Sequence, residues 1–171
     1  MPGRPDPFNK RNQVAVYPGT FDPVTYGHID LIHRARALFP KVVVGVAVNP
    51  GKGTLFPVEE RVAMLRQAVR GLAGVSVERF DSLSVKFARN HRSRVILRGL
   101  RMLSDFEYEF QMALTNRRLD PHIETVFLMP SAEYSYLSSR LIKEAVELGA
   151  DARGFVPDPV ARALRSKLGS A

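Results

Sequence analysis

From residue 13 onward, short β-branched runs alternate with stretches of helical periodicity. Val14-Ala15-Val16-Tyr17 predicts a first strand. His28 to Phe39 repeats apolar residues at Ile29, Leu31, Ile32, Ala35 and Leu38, the spacing of one helix face. Val42 to Val48 is a continuous apolar run of strand length, as a parallel strand covered on both faces requires. Pro57-Val58-Glu59-Glu60 predicts a helix start, with proline in the first turn and two acids at the positive end of the dipole. That helix buries Val62, Met64, Leu65 and Val69 and ends near Gly71. Val75 to Arg79 predicts a third strand, Leu83 to Asn90 a short helix, and Val95-Ile96-Leu97 a fourth strand. Ser104-Asp105-Phe106-Glu107 reads as a capping box opening a helix to about Leu119. Thr125 to Met129 predicts a fifth strand. Ser138 or Ser139 caps a helix reaching Leu148, with Gly149 as its stop, and Pro159 to Leu168 forms the last helix.

Strands alternating with helices imply βαβ units joined by right-handed crossovers. The fold class is therefore α/β: a Rossmann-like, doubly wound, five-stranded parallel sheet with helices on both faces, in a single domain over residues 12–171. Residues 1–11 carry three prolines and no periodicity, and are expected to be a disordered lead-in. Ligands of such sheets bind beyond the carboxyl ends of the strands. Every chemically unusual cluster falls just there: Pro18 to His28, Asn49 to Phe56, Arg98 to Arg101, and Pro130 to Ser139. Four loops at one sheet edge would meet in one site.

Composition narrows the chemistry. The chain has no cysteine, which removes disulfides, thiolate metal sites and a cysteine nucleophile. The longest apolar run is too short to span a membrane, and Met1 to Asn12 lacks the apolar core of a secretory signal, so a cytoplasmic protein is expected. The net charge is +8, and residues 86–101 hold six basic side chains and no acid. Such charge suits nucleic acid or a polyphosphate equally well. No alternation of aromatic and basic residues of the kind single-strand binders use is present, which weighs against nucleic acid.

Each cluster offers phosphate chemistry. Gly27-His28 lies at a predicted helix N-terminus, where free N–H groups attract anions and a histidine can stabilise charge growing on a phosphoryl oxygen. Gly19 and Gly99 lack the Cβ that would hold a ligand away from the backbone. Gly51-Lys52-Gly53-Thr54 superficially suggests a P-loop, but Val46 and Gly53 stand where glycine and a hydroxyl residue are needed. Arg98 and Arg101 flank Gly99-Leu100 right after a strand, and paired guanidinium groups suit bidentate phosphate recognition. His33, His91 and His122 have neither metal-ligand spacing nor a carboxylate-rich setting and read as ordinary surface residues.

As a whole, Tyr17-Pro18-Gly19-Thr20-Phe21-Asp22-Pro23 with Gly27-His28 resembles the signature of the HxGH nucleotidyltransferase superfamily, and its phosphopantetheine adenylyltransferase family in particular. Thr25 stands where the superfamily carries its first histidine, as is usual in that family. Asn49-Pro50-Gly51-Lys52, Arg98-Gly99-Leu100-Arg101, Asp105 to Glu109, Asn116 and Tyr134 to Arg140 extend the resemblance over Gln13 to Lys167. It implies reversible transfer of adenylate from ATP to 4′-phosphopantetheine, giving dephospho-coenzyme A and pyrophosphate. It assigns catalysis to His28, Thr20, Lys52 and Arg101. It assigns ATP binding to Thr20, Phe21, His28, Gly99, Leu100, Arg101, Glu109 and the loop of Tyr134, Ser135, Tyr136, Leu137, Ser138, Ser139 and Arg140. Substrate binding falls to Thr20, Lys52, Ser84, Arg98 and Asn116. Arg140 replaces the usual third serine or threonine, and Ser84 replaces a commonly apolar contact. The resemblance also implies Mg²⁺ held mainly through ATP phosphates with no dedicated protein site, a homohexamer, and coenzyme A as a feedback ligand. A sister nucleotidyltransferase acting on nicotinamide mononucleotide or glycerol phosphate is the nearest rival, followed by a nucleic-acid-binding module and a scaffold protein.

Overall fold

The computed structural model describes residues 13–48, 51 and 53–169. Five strands, Val14–Gly19 (β1), Lys41–Ala47 (β2), Val75–Phe80 (β3), Val95–Gly99 (β4) and Glu124–Leu128 (β5), alternate with helices. These are Tyr26–Leu38 (α1), Val58–Ala68 (α2), Ser84–Asn90 (α3), Leu103–Leu119 (α4), Ser139–Glu147 (α5) and Asp158–Leu168 (α6). The strands form one parallel sheet in the order β3-β2-β1-β4-β5. The chain winds outward from β1 to β3, then crosses to β4 on the other side of β1. A crevice therefore opens between the carboxyl ends of β1 and β4, the switch point where ligands of such sheets bind.

Alternation along the strands sends side chains into two cores. Ala15, Tyr17, Val42, Val44, Val46 and Leu97 pack under α1, α2, α5 and α6, while Val16, Val43 and Ile96 meet Val85, Phe87 and Ala88 of α3 on the opposite face. The doubly wound, five-stranded arrangement of the sequence reading is thus the observed one, and every predicted strand and helix is present.

Three local expectations differ. Leu38 is exposed at the end of α1, where the chain turns into β2 before the apolar face completes another turn. The Ser104–Glu107 capping box does not form: α4 starts at Leu103, and Asp105 turns back to pair with Arg101. A capping box occurs at Thr25 and His28 instead, where a histidine replaces the usual glutamate. His91 is no bare surface group either, since its Nε2 lies 3.3 Å from Glu78 and its ring edges onto Phe87.

Candidate active site

A cleft of about 590 Å³ occupies the crevice. Its walls are the end of β1 and the following Thr20–Asp22 turn, the first turn of α1, Gly53-Thr54, the end of β4, and the first turn of α5. Four loops separated in sequence do converge, because parallel strands deliver all their carboxyl ends to one edge. The N-termini of α1 and α5 both reach this cleft, a setting that favours anions.

His28 is fixed by the cap it helps to build. The Thr25 N–H donates to His28 Nδ1 at 3.0 Å, and Thr25 Oγ1 lies 3.1 Å from the same nitrogen. Nδ1 is thereby an acceptor, so the proton of the neutral ring sits on Nε2. Burial, with the Arg101 and Arg98 charges adding to it, lowers the His28 pKa from 6.5 to about 4. At neutral pH the ring is uncharged and offers the cleft an N–H donor.

The cations of the cleft are held by specific partners. Arg98 grips Glu109 through two bonds, Nε to Oε2 at 2.7 Å and Nη2 to Oε1 at 2.6 Å, and donates to the Pro18 carbonyl at 2.9 Å. Glu109, a buried residue of α4, is therefore the carboxylate that carries Arg98 into the cleft. Arg101 donates to the Leu137 carbonyl at 2.8 Å and pairs with Asp105 at 3.1 Å, tying the end of β4 to the serine loop. Tyr17 lies beneath; burial pushes its hydroxyl up to about 12 despite Arg98 and Arg101 nearby. Arg140 points out to Glu144 at 2.9 Å, although its base still lines the cleft.

Two further groups were not singled out from the sequence. Asp22 accepts from the Leu55 and Phe56 N–H groups at 2.9 Å each and from Lys143 Nζ at 2.7 Å. Burial alone would raise its carboxyl, but the Lys143 bond and the two amides outweigh burial and hold it below the usual carboxylate range. Lys143 thus brings a cation from α5 to the cleft wall. Arg61, fully buried behind the wall, donates only to backbone carbonyls (Thr20, Ala47, Val48 and Phe56) among the described residues. A sequence signal existed: Arg61 lies on the i, i+3, i+4, i+7 stripe of Val58, Val62 and Leu65, a core position for a cation.

The Cytidylyltransferase-like family model matches residues 16–145, and so contains the β1 loop, His28, Arg98 and the serine loop. A phosphopantetheine adenylyltransferase of Caldanaerobacter subterraneus subsp. tengcongensis is 51% identical over 155 residues, covering 91% of this chain and 97% of the relative. The chain belongs to the phosphopantetheine adenylyltransferase family. Solved structures share the architecture with low identity. A bifunctional NMN adenylyltransferase/ADP ribose pyrophosphatase from Francisella tularensis superposes with TM-score 0.67 at 14% identity, over 92% of this chain and 49% of that one. This chain therefore spans about half the length of the Francisella protein. A Vibrio parahaemolyticus protein described as a nicotinate-nucleotide adenylyltransferase gives TM-score 0.62 at 17% identity, over 90% and 91%.

Within this adenylyltransferase fold, the sequence-predicted residues divide into groups. Thr20, Phe21, His28, Arg98, Gly99, Arg101, Glu109, Leu137, Ser138, Ser139 and Arg140 all line the cleft. Leu100, Tyr134, Ser135, Tyr136, Ser84 and Asn116 lie outside its wall. Asn116 is buried, with its side-chain Nδ2 lacking a partner among the described residues. Lys52 lies outside the described residues; its neighbours Gly53 and Thr54 border the cleft. Ser138 occupies the N-cap of α5 without a capping bond, and Ser139 Oγ donates to the Pro23 carbonyl at 2.7 Å. Gly19 and Gly99, both at the cleft wall, are also required by packing. A Cβ on Gly19 would lie 2.8 Å from the Phe21 ring, and one on Gly99 2.5 Å from Leu31 Cδ1. Both spaces are filled by the protein's own side chains, so these glycines set packing around the cleft.

Proposed function

We propose that the protein transfers the adenylyl group of ATP to 4′-phosphopantetheine, forming dephospho-coenzyme A and pyrophosphate, reversibly. The observation that carries this reading is a neutral His28, its Nδ1 locked in the α1 cap, beside Arg98 and Arg101 in a cleft fed by two helix N-termini. An oxygen of the acceptor phosphate attacks the α-phosphorus of ATP, and the bond from that phosphorus to the β-bridging oxygen breaks. The acceptor is already an anionic nucleophile, so positioning and charge stabilisation suffice and no general base is needed. His28 donates from Nε2 to the phosphoryl oxygen that gains charge, with Thr20 beside it. Arg98, presented by Glu109, and Lys52 hold the acceptor. Arg101 and the first turn of α5 hold the ATP phosphates.

Among the described residues no three histidine, aspartate or glutamate side chains converge as a metal cage. The cleft carboxylates Asp22 and Glu109 are each engaged by a cation. We take Mg²⁺ to enter with ATP, as part of the substrate, on the polyphosphate oxygens. The relative's name supports the acceptor, since it is called a phosphopantetheine adenylyltransferase.

Assembly of several copies, as a hexamer, also belongs to this reading. It is supported by α4, which turns Glu109 and Asn116 inward but leaves Leu103, Phe106, Phe110 and Leu114 exposed. Light scattering on a sizing column measures the subunit number, and a monomer would remove the hexamer. Coenzyme A is proposed as a feedback ligand, to be tested as an inhibitor competing with phosphopantetheine. No described helix is long and apolar enough to cross a membrane, and we place the reaction in the cytoplasm.

The deciding experiment follows pyrophosphate release from ATP and Mg²⁺ with 4′-phosphopantetheine, nicotinamide mononucleotide or glycerol 3-phosphate, with CTP as the alternative nucleotide. Release with ATP and phosphopantetheine alone is expected. Turnover with another acceptor would move the chain to a sister specificity, and silence with all would overturn the reading.

A further inference from the structure

Arg61 is only 1% exposed and forms no ion pair among the described residues. Its guanidinium donates to the carbonyls of Thr20 at 2.6 Å, Ala47 at 2.9 Å, Phe56 at 3.0 Å and Val48 at 3.4 Å. Stability alone would be served as well by an apolar side chain of similar volume, because burying a cation carries a heavy desolvation cost. What the planar fork does, and an apolar residue cannot, is hold three separate loops in fixed relation.

One of those loops is strained at the cleft. Phe21 has φ +49, the left-handed region that non-glycine residues rarely adopt. The peptide between Thr20 and Phe21 is trans, so its carbonyl and N–H point opposite ways. The carbonyl is turned back onto Arg61. The Phe21 N–H therefore points away from Arg61, in a turn whose residues Thr20 and Phe21 line the cleft. It donates to no acceptor among the described residues, although Phe21 is 3% exposed. Buried N–H groups are nearly always paired, and one left unpaired beside a cleft is available to a ligand.

We propose that Arg61 is a positioning residue for the adenylyl transfer: by holding the Thr20 carbonyl, it presents the Phe21 backbone N–H as a fixed donor to the phosphoryl group in flight. The inference rests on the adenylyltransferase reading above. Arg61 touches no substrate and acts only through the backbone it fixes.

Arg61→Lys keeps the charge, but one ammonium cannot span carbonyls from three segments. With ATP, Mg²⁺ and 4′-phosphopantetheine, kcat should fall about 100-fold while both KM values stay within about twofold, the pattern of a donor lost mainly in the transition state. A lower melting temperature with kcat per folded molecule unchanged would make Arg61 merely structural and overturn the proposal. A second measurement needs no variant and decides the matter if Arg61→Lys does not fold. In ¹⁵N-labelled wild-type protein, adding ATP and Mg²⁺ should move the Phe21 amide proton downfield together with the His28 ring signal. A responding His28 with an unmoved Phe21 amide would overturn the proposal and leave the site reading intact. No response from either would overturn the site reading itself.

Discussion

Acidification of the protein isolates the protonation state on which the His28 role depends. The ring titrates near 4 in the folded protein and near 6.5 when unfolded, so between these values the unfolded chain binds the extra proton. The stabilisation due to neutral His28 is thus fully present above pH 6.5 and is lost as pH falls toward 4. The gap between 6.5 and about 4 corresponds to about 3 kcal/mol at about 1.36 kcal/mol per pH unit, an upper bound because water in the cleft wets part of the ring. Some 2.5 kcal/mol of it, roughly, should be gone by pH 4.5. Urea unfolding of the wild type and His28→Gln at intervals from pH 4.5 to 7.5 gives the test. Other titrating groups are common to both proteins, so the difference between the two stabilities reports His28 alone. A difference that stays flat within about 0.5 kcal/mol over that range would refute a depressed His28 pKa. The kinetic counterpart is that kcat/KM shows no acid limb near 6.5 from this residue, while His28→Ala loses roughly 10²–10³ in kcat. A limb near 6.5 that vanishes in the variant would make His28 a base and overturn the donor role.

Glu109→Gln leaves the Arg98 guanidinium facing an amide N–H₂, and should cost about 3 kcal/mol in urea unfolding, the low end for breaking a buried pair; a loss below about 1 kcal/mol would mean that cleft water already serves Arg98. Asp22→Asn removes the partner of Lys143 and turns an amide toward the Leu55 and Phe56 N–H groups, for an expected loss of about 3 kcal/mol. The Asp22 carboxyl is depressed in the folded state, so its contribution is present above pH 3.8 and fades below it, and the deficit of the variant should shrink there. Gly45→Ala places a Cβ 2.5 Å from Phe87 Cε1 and 3.0 Å from Phe80 Cδ1, an overpacking expected to cost about 1–3 kcal/mol in thermal unfolding. An unchanged melting temperature would show that the two stacked rings can slide apart.

The sheet could be read from the sequence because its central strands bury consecutive residues on both faces, leaving runs such as Val42 to Val46 that no surface element would carry. The site was legible for a related reason. Parallel strands force their carboxyl-end loops together, so clusters distant in sequence need no further evidence to be placed at one edge. What failed was local and competitive. Ser104 and Glu107 have the spacing of a capping box, but the helix starts two residues earlier, with Met102 in the N-cap position, so Ser104 already lies inside the first turn. Leu38 keeps helical phase with Ile32 and Ala35, yet the chain leaves the core before reaching it.

The side chains that shape the cleft are also those that a search for chemistry passes over. Arg61 looks like a solvated helix charge until it is counted on the apolar stripe with Val58, Val62 and Leu65. Asp22 looks like a turn residue, yet it joins the β1 loop, the Leu55-Phe56 segment and α5. Asp30 holds Ser131 through both its N–H and its hydroxyl at 2.8 Å, pinning the start of the serine loop to α1 one residue pair beyond His28. Each of these contacts joins loops that the sheet has merely brought near one another. Proximity within a few ångströms follows from topology, whereas placement good enough for phosphoryl transfer needs loops locked against sliding. A charged side chain bonded to backbone from two or three segments does that locking in a way that apolar packing, which tolerates slippage, cannot. The sequence reveals the groups that meet the ligand by type; it reveals those that hold them only by a polar residue standing where an apolar one is due.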